Sequence, residues 1–451
     1  MRWIFLGIVA LTWTASVSGE EPASPWKAGV AAQVITPKKN VWLAGYAKRN
    51  TVSAGKVQDL FAKALALEDH DGKRAVILTL DLIGITRAMR EDVARQAEQK
   101  WGLSRDRLLV NASHTHCSPL VRGRPSVMFE LTEQQWADVD EYLAALPALL
   151  VQVIGKSLKD LAPAQLSYTH ARAGFAMNRR LPTSKGYQNS PYPDGPVDHD
   201  VPVLRVEDPK GKLRALLFGY ACHNTTLQFE YLCGDYAGYA QEYLAADHPG
   251  VTALFMAGCG GDQNPFPRST LDRAKQHGRA LANAVEAALL PRPRPVSGPL
   301  KVAFEETTLQ FMPLSRDTLV QMGMSKTIYE VRRSKLLLAE LEKNGQLRSR
   351  HAYPIQVLQF GKDLTLVALA GETVVDFSLR LKKEIAGNPL WVAGYCNDVF
   401  GYVPSVRVQK EGGYEPVGST QYSILPGPLA QSTEERIISK VTELVQRVRK
   451  R

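Results

Sequence analysis

Two histidines stand two residues apart in Asn111-Ala112-Ser113-His114-Thr115-His116-Cys117-Ser118-Pro119, directly after Leu108-Leu109-Val110, which reads as a buried strand. Imidazole ligates metals and titrates near neutrality, so the pair suits metal binding or proton transfer. In an extended His-x-His the rings point to opposite sides, because side chains alternate with period two. Both serve one site only if the chain bends just there. Otherwise one binds a metal while the other works from a different angle. A strand end with two satisfied surface histidines is the competing reading, and the pair alone does not decide.

His223 follows another apolar run, in Ala221-Cys222-His223-Asn224-Thr225, and Glu372 a third, in Gly371-Glu372-Thr373. Zinc takes imidazole nitrogen and carboxylate oxygen, and a catalytic site keeps one position open. Two histidines and a carboxylate from separate strand ends make such a set. Choosing His114 and His223 among nine histidines rests on their Gly/Thr/Asn-rich strand-end settings. Glu372 equally suits a helix N-terminus, where the dipole stabilises a carboxylate. Asp81 and Asp262, at two more strand ends, read as orienters of histidines or as caps.

The elements that must position these residues alternate. Lys63–Glu68 and Ala75–Asp81 read as a hairpin, Thr86–Trp101 as a helix stopped by Gly102, and Leu131–Leu161 as a helix with Thr132 and Gln135 at capping-box spacing. Arg172–Pro196 reads as a loop. Strands follow at Val201–Val206, Leu213–Tyr220 and Val251–Met256, with helices opening at Gly234 and covering Thr270–Leu290 and Arg316–Asn344. A last hairpin, Ile355–Phe360 and Leu364–Ala370, precedes helices to Ala386 and at the C-terminus. Apolar strands interleaved with helices indicate an α/β fold: mixed sheets with flanking helices and the site at the carboxyl ends of strands. The Pro/Arg-rich connector at 291–299 is the candidate subdomain boundary.

The chain has 451 residues, 45% hydrophobic and 22% charged, ample for a large core. Arg2, an apolar stretch from Trp3 to Trp13 and small residues up to Gly19 form a signal-peptide pattern over 1–19, so the mature protein, from residue 20 to 451, is expected to be exported. The net charge of +10 is spread along the chain, and its one dense basic run, Arg447–Arg451, reads as a solvated helix end. No basic patch interleaves with aromatics and no nucleic-acid motif is present, so nucleic acid is not an expected partner. The five cysteines make an odd count with no close-pair motif; disulfides are possible in an exported protein but not required for a core this size, and the three beside motifs read as small buried residues.

One ordered set of landmarks covers nearly all of the mature sequence. It comprises Gly45-Tyr46-Ala47, Ser113-His114-Thr115-His116, Asn178-Arg179, His223, Gly261-Asp262, Gly371-Glu372, Gly394-Tyr395-Cys396-Asn397-Asp398 with Gly401-Tyr402-Val403, and Tyr414-Glu415. This set resembles the catalytic domain of the neutral/alkaline non-lysosomal ceramidase family. The resemblance implies a zinc amidase with His114, His223, Glu372 and Tyr402 on the metal. It further implies His116 as general acid/base and Arg179 and Tyr414 holding the oxygen of the scissile carbonyl. Arg180 competes with Arg179 for that role, and Tyr402 and Tyr414 also suit ordinary half-buried positions.

The expected reaction is hydrolysis of an N-acyl amide, first of ceramide to sphingoid base and fatty acid, with Zn2+ as cofactor and peripheral contact with a membrane surface. The alternatives are the same fold acting on a non-lipid substrate such as an N-acylated amino sugar, or a catalytically silent surface- or lipid-binding protein. Two departures bear on the substrate. Cys117-Ser118-Pro119-Leu120 stands where the family usually has a Ser-Gly-Pro-Gly-like turn, and after Tyr414 a helix is expected where larger members add a β-sandwich domain.

Overall fold

The computed structural model describes residues 26–450, so the expected signal peptide lies outside the described residues. The first third runs β1 (Trp26–Val34), β2 (Phe61–Asp69), β3 (Arg74–Leu80), α1 (Arg87–Trp101), β4 (Leu108–Ala112), α2 (Glu133–Lys159) and β5 (Ala162–Arg172). Next come β6 (Ala176–Thr183), β7 (Gly186–Tyr192), β8 (Asp200–Glu207), β9 (Leu213–Tyr220), α3 (Asp235–Asp247), β10 (Thr252–Ala257), β11 (Gln263–Pro265), α4 (Leu271–Leu289) and β12 (Arg294–Pro295). The chain closes with β13 (Leu300–Gln310), α5 (Arg316–Met322), α6 (Ile328–Asn344), β14 (Arg350–Phe360), β15 (Leu364–Leu369), β16 (Glu372–Thr373), α7 (Val375–Glu384), β17 (Leu390–Ala393), β18 (Tyr402–Val403), α8 (Val406–Glu411) and α9 (Thr433–Lys450). None of these helices is long and apolar enough to cross a membrane.

Local chemistry sets many boundaries. The Thr86 side chain accepts from the Met89 amide to open α1, and Gly102, at φ 66°, closes it. Thr132 and Gln135 form the expected capping box at the start of α2.

The larger sheet runs β10-β9-β8-β5-β1-β2-β3-β4, with β12 on β5, and a second runs β13-β14-β15-β17. Alternate residues of one strand serve two layers. Leu65 and Leu67 of β2 join Leu358, Leu366 and Trp391 of the second sheet in one core, while Ala64 and Ala66 face Val93 of α1 and Leu150 of α2. Behind β8–β10 pack α3 and α4, and α7 and α9 cover the outer face of the second sheet. The result is helix, sheet, sheet, helix, which is the expected mixed α/β architecture.

Two elements differ from the sequence reading. Arg172–Pro196 is largely the β6–β7 hairpin, extended by β11 into a small sheet. Its outer strand has no apolar alternation because β7 is mostly solvent-facing, and backbone pairing rather than burial holds it. The helical stretch from Arg316 is two helices, α5 and α6, broken at Gly323, where Ser334 Oγ closes on the position a Cβ would occupy.

Three parallel strand pairs, β3/β4, β9/β10 and β15/β17, end on the same side as the chemistry. Asp81, His114, His223, Asp262 and Glu372 all follow their carboxyl ends.

Candidate active site

At His114 the chain turns into the left-handed region, φ 62°, immediately past β4. That is the bend an extended His-x-His lacks. It brings His116 Nε2 to 3.2 Å from His114 Nε2. The other nitrogen of His114, Nδ1, donates to the Ile83 carbonyl at 2.6 Å, and His223 Nδ1 donates to the Gly260 carbonyl at 2.7 Å. With their protons committed to carbonyls, both Nε2 atoms present lone pairs inward. Glu372 Oε2 lies 3.1 Å from one and 3.2 Å from the other, and the Tyr402 hydroxyl is 3.2 Å from His223 Nε2.

In their neutral form the two rings carry no Nε2 proton for the carboxylate, so the three atoms do not satisfy one another. Glu372 Oε2 accordingly has no hydrogen-bond partner. A shared cation resolves the arrangement. Zinc–ligand distances of about 2.0–2.2 Å imply separations of roughly 3.3–3.6 Å between tetrahedral donors, slightly longer than the 3.1 and 3.2 Å observed. The chemistry and spacing of the donors therefore fit a zinc-like ion. The nitrogens of His114, His116 and His223 lie within 4.8 Å of one another, so this cluster could bind a metal, and His116 is within its reach.

Electrostatics follow from burial. Burial lowers the His116 imidazole well below its usual value, with His114 and His223 adding to the shift. Burial and Arg179 lower His223 to about 4, against the pull of Glu372. Burial alone would raise Glu372, but His114 and His223 outweigh it and hold the carboxyl well below its ordinary range.

Glu372 and Tyr402 face one another because β16 pairs with β18 in parallel, placing the two residues in register. Gly371, at φ 72°, makes the turn that precedes them. Gly45 has φ 93°, and a Cβ there would meet His116 Cγ at 2.4 Å, so the close approach of this loop requires glycine.

The two candidate arginines separate. Arg179 Nη2 donates to the Tyr402 hydroxyl at 3.0 Å, and its guanidinium lies over the rings of Tyr402 and Tyr414, at 5.5 and 5.6 Å. Arg180 is turned away to Glu411, Glu415 and the Gly412 carbonyl. Tyr414 lines the cavity, and burial raises its hydroxyl to about 12 despite Arg179. Asp262 acts as a cap: Oδ1 accepts from the Val375 amide at 2.8 Å, and its carbonyl accepts from the Arg179 amide. Asp81 accepts from the Phe61 amide and Gln241, away from the cluster.

Sequence reasoning missed several participants. The orienting carbonyls of Ile83 and Gly260 carry no side-chain signal. Tyr395 sets its ring 4.5 Å from that of His114 and its hydroxyl 3.3 Å from His223 Nδ1. Glu415 takes Arg179 Nε at 2.9 Å, and its place beside Tyr414 was the only sequence cue.

The cluster opens onto a cavity of about 340 Å³, walled by the 120–129 segment, Val399–Tyr402 and the 419–425 segment.

The fold matches that of neutral ceramidase from Pseudomonas aeruginosa, with a TM-score of 0.75 at 20% identity over 95% of this chain and 75% of that one. A ceramidase structure described as complexed with C2 matches equally, with a TM-score of 0.74 at 19% identity over 95% and 76%. Residues 26–261 match the family model for neutral/alkaline non-lysosomal ceramidase, N-terminal, and the chain belongs to that family. Neutral ceramidase A of Dictyostelium discoideum is 26% identical over 281 residues, and neutral ceramidase of Drosophila pseudoobscura pseudoobscura 23% over 282. These matches take in 54% and 58% of this chain but only 36% and 38% of those proteins.

Proposed function

We propose that the protein is a zinc-dependent amidase that hydrolyses N-acyl amides, with ceramide as the first substrate to test. The observation that carries this reading is the convergence of His114 Nε2, His223 Nε2 and Glu372 Oε2, none of which brings a proton when the rings are neutral, with the Tyr402 hydroxyl at their edge. These four residues would hold the metal. Zinc, when bound, supplies a Lewis acid and lowers the pKa of water to about 7.

The remaining steps belong to the chain's own groups. His116 has an unpartnered Nδ1 and an Nε2 beside the metal donors, so it suits delivery of a proton to the leaving amine. Tyr414 and Arg179 are O–H and N–H donors that would stabilise charge growing on the carbonyl oxygen. The Glu415 carboxylate holds the Arg179 fork in place for that task. The largely apolar cavity wall suits an acyl chain, and its volume falls within the range of small-molecule sites.

The test is metal analysis of the purified full chain combined with hydrolysis of a fluorogenic N-acyl-sphingosine and a panel of shorter N-acyl amides. Stoichiometric zinc is expected, with turnover lost on chelation and restored by zinc. Turnover indifferent to chelation would remove the metal from the reading, and zinc without turnover on any amide would remove the hydrolase.

A further inference from the structure

One charged group in the cavity wall has no counterpart in the chemistry described so far. The 120–129 segment, which begins where the sequence departs from the family's usual turn, contributes Leu120, Val121 and Phe129 to an apolar face completed by Val399, Phe400 and Leu425. Arg122 stands among them, lining the same cavity as His114, His116 and Glu372. The residue as a whole is exposed and its side chain runs along the cavity wall. Nη2 donates to the Val399 carbonyl, and among the described residues no carboxylate forms an ion pair with it.

The carboxylates near enough to act on its charge are Asp398 and Glu372. Both face other groups. Asp398 Oδ2 lies 3.3 Å from both Arg87 Nη2 and His351 Nε2, and Glu372 is committed to the histidine cluster. Arg348 adds a second positive charge to the neighbourhood. The contrast with Arg124, two residues on, is instructive. That side chain also borders the cavity but pairs with Glu133 at 2.8 Å and lies over the Trp136 ring. Arg122 is thus a five-donor fork with one donor used and no carboxylate in ion-pair contact, in a largely apolar wall beside the reactive cluster.

We propose that Arg122 is a specificity-determining residue that selects amides carrying an anionic oxygen group (carboxylate, sulfate or phosphate) together with an apolar chain. The proposal rests on the amidase reading of the site and narrows its substrate class from neutral to anionic amphiphilic amides. The anion supplies the acceptor that the protein withholds, and charge-assisted bonds to a guanidinium are among the stronger polar contacts.

Two matched substrate pairs test it with the zinc-loaded full chain. N-dodecanoylglycine against its methyl ester carries the charge on the amine side; the N-benzyl monoamide of dodecanedioic acid against its methyl ester carries it on the acyl side. The charged member of one pair is expected to have the higher kcat/KM, by about tenfold or more. Arg122→Met should bring that ratio close to unity and Arg122→Lys should retain part of it; the pair that responds identifies the side bearing the anion. Equal kcat/KM within both pairs for the native chain, or a preference unchanged in Arg122→Met, would overturn the proposal.

A binding measurement separates this from failure of the amidase reading. Metal-free protein should take up dodecanoate in preference to dodecanol, by displacement of a fluorescent probe, and Arg122→Met should lose the preference. Charge-selective binding without hydrolysis of any amide would leave Arg122's role standing and remove the hydrolase. Hydrolysis of neutral amides with no charge selectivity would do the reverse.

Discussion

His114 and His116 flank Thr115, yet their surroundings give them different work. His114 has its Nδ1 proton fixed on the Ile83 carbonyl and a carboxylate at its other nitrogen, as a ligand requires. His116 has no hydrogen-bond partner at Nδ1, so no carbonyl fixes its proton on that nitrogen. His114→Ala and His223→Ala are therefore expected to lose zinc, as read by metal analysis. His116→Ala should keep it and lose about 10²–10⁴-fold in turnover. Loss of zinc in His116→Ala would instead make His116 a ligand, which its 3.2 Å separation from His114 Nε2 also permits. Tyr402 and Tyr414 divide in the same way. The Tyr402 hydroxyl is 3.2 Å from His223 Nε2, whereas the Tyr414 ring packs against the Tyr402 ring at 5.5 Å and lies under Arg179. Tyr414→Phe should slow turnover with the metal content unchanged, and zinc depletion in that variant would exchange the roles of the two tyrosines.

At the scale of elements, the site is held by short turns that follow long strands. Gly371 is the sharpest of them: a Cβ there would meet Val403 Cγ2 at 2.6 Å and the Gly401 carbonyl at 2.9 Å, on a backbone at φ 72°. Gly371→Ala is expected to lose about 1–3 kcal/mol in chemical denaturation, through left-handed strain and displacement of β18. It should also weaken zinc binding, because Glu372 and Tyr402 share that pairing. Unchanged metal affinity would show that the β16–β18 pairing does not position the donors. The strands that feed these turns were legible in the sequence because each is a buried apolar run, and Thr86, Gly102 and the Thr132–Gln135 box marked helix ends by their own hydrogen-bonding chemistry. The β6–β7 hairpin was not legible, since an exposed strand such as β7 has no apolar period to read. The histidines and Glu372 were visible as polar residues past strand ends. That they meet, and that Arg122 is left without a counter-ion, depends on long-range packing with no local signature.

For the molecule as a whole, the two large sheets must stay in fixed relation, because His114 and His223 follow strands of one while Glu372 follows a strand of the other. Asn111, the last residue but one of β4, is the polar link at the site's edge. Its Nδ2 donates to the carbonyls of Ala257, at 3.2 Å, and Gly394, at 2.8 Å, and its Oδ1 accepts from the Ala257 amide at 2.9 Å. One fully buried side chain thus joins β4, the end of β10 and the residue after β17. Asn111 also bridges to Cys396 through the backbone, and Gly258 to Ala393, so the sheets meet at this end by a few polar bonds rather than a continuous ladder. Removing the side chain takes the acceptor from the buried Ala257 amide, at about 1–3 kcal/mol, and leaves the Ala257 and Gly394 carbonyls with only the Gly394 amide and the Cys396 thiol. Asn111→Ala is accordingly expected to lose about 3 kcal/mol in urea denaturation and to bind zinc more weakly, although every metal donor is intact. Asn111→Asp keeps the acceptor for the Ala257 amide but sets a carboxylate against two carbonyls, so it should fare no better at neutral pH. A loss below about 0.5 kcal/mol in Asn111→Ala, with metal affinity unaltered, would mean that apolar packing around Trp391 alone fixes the sheets and that the donors need no polar latch beneath them.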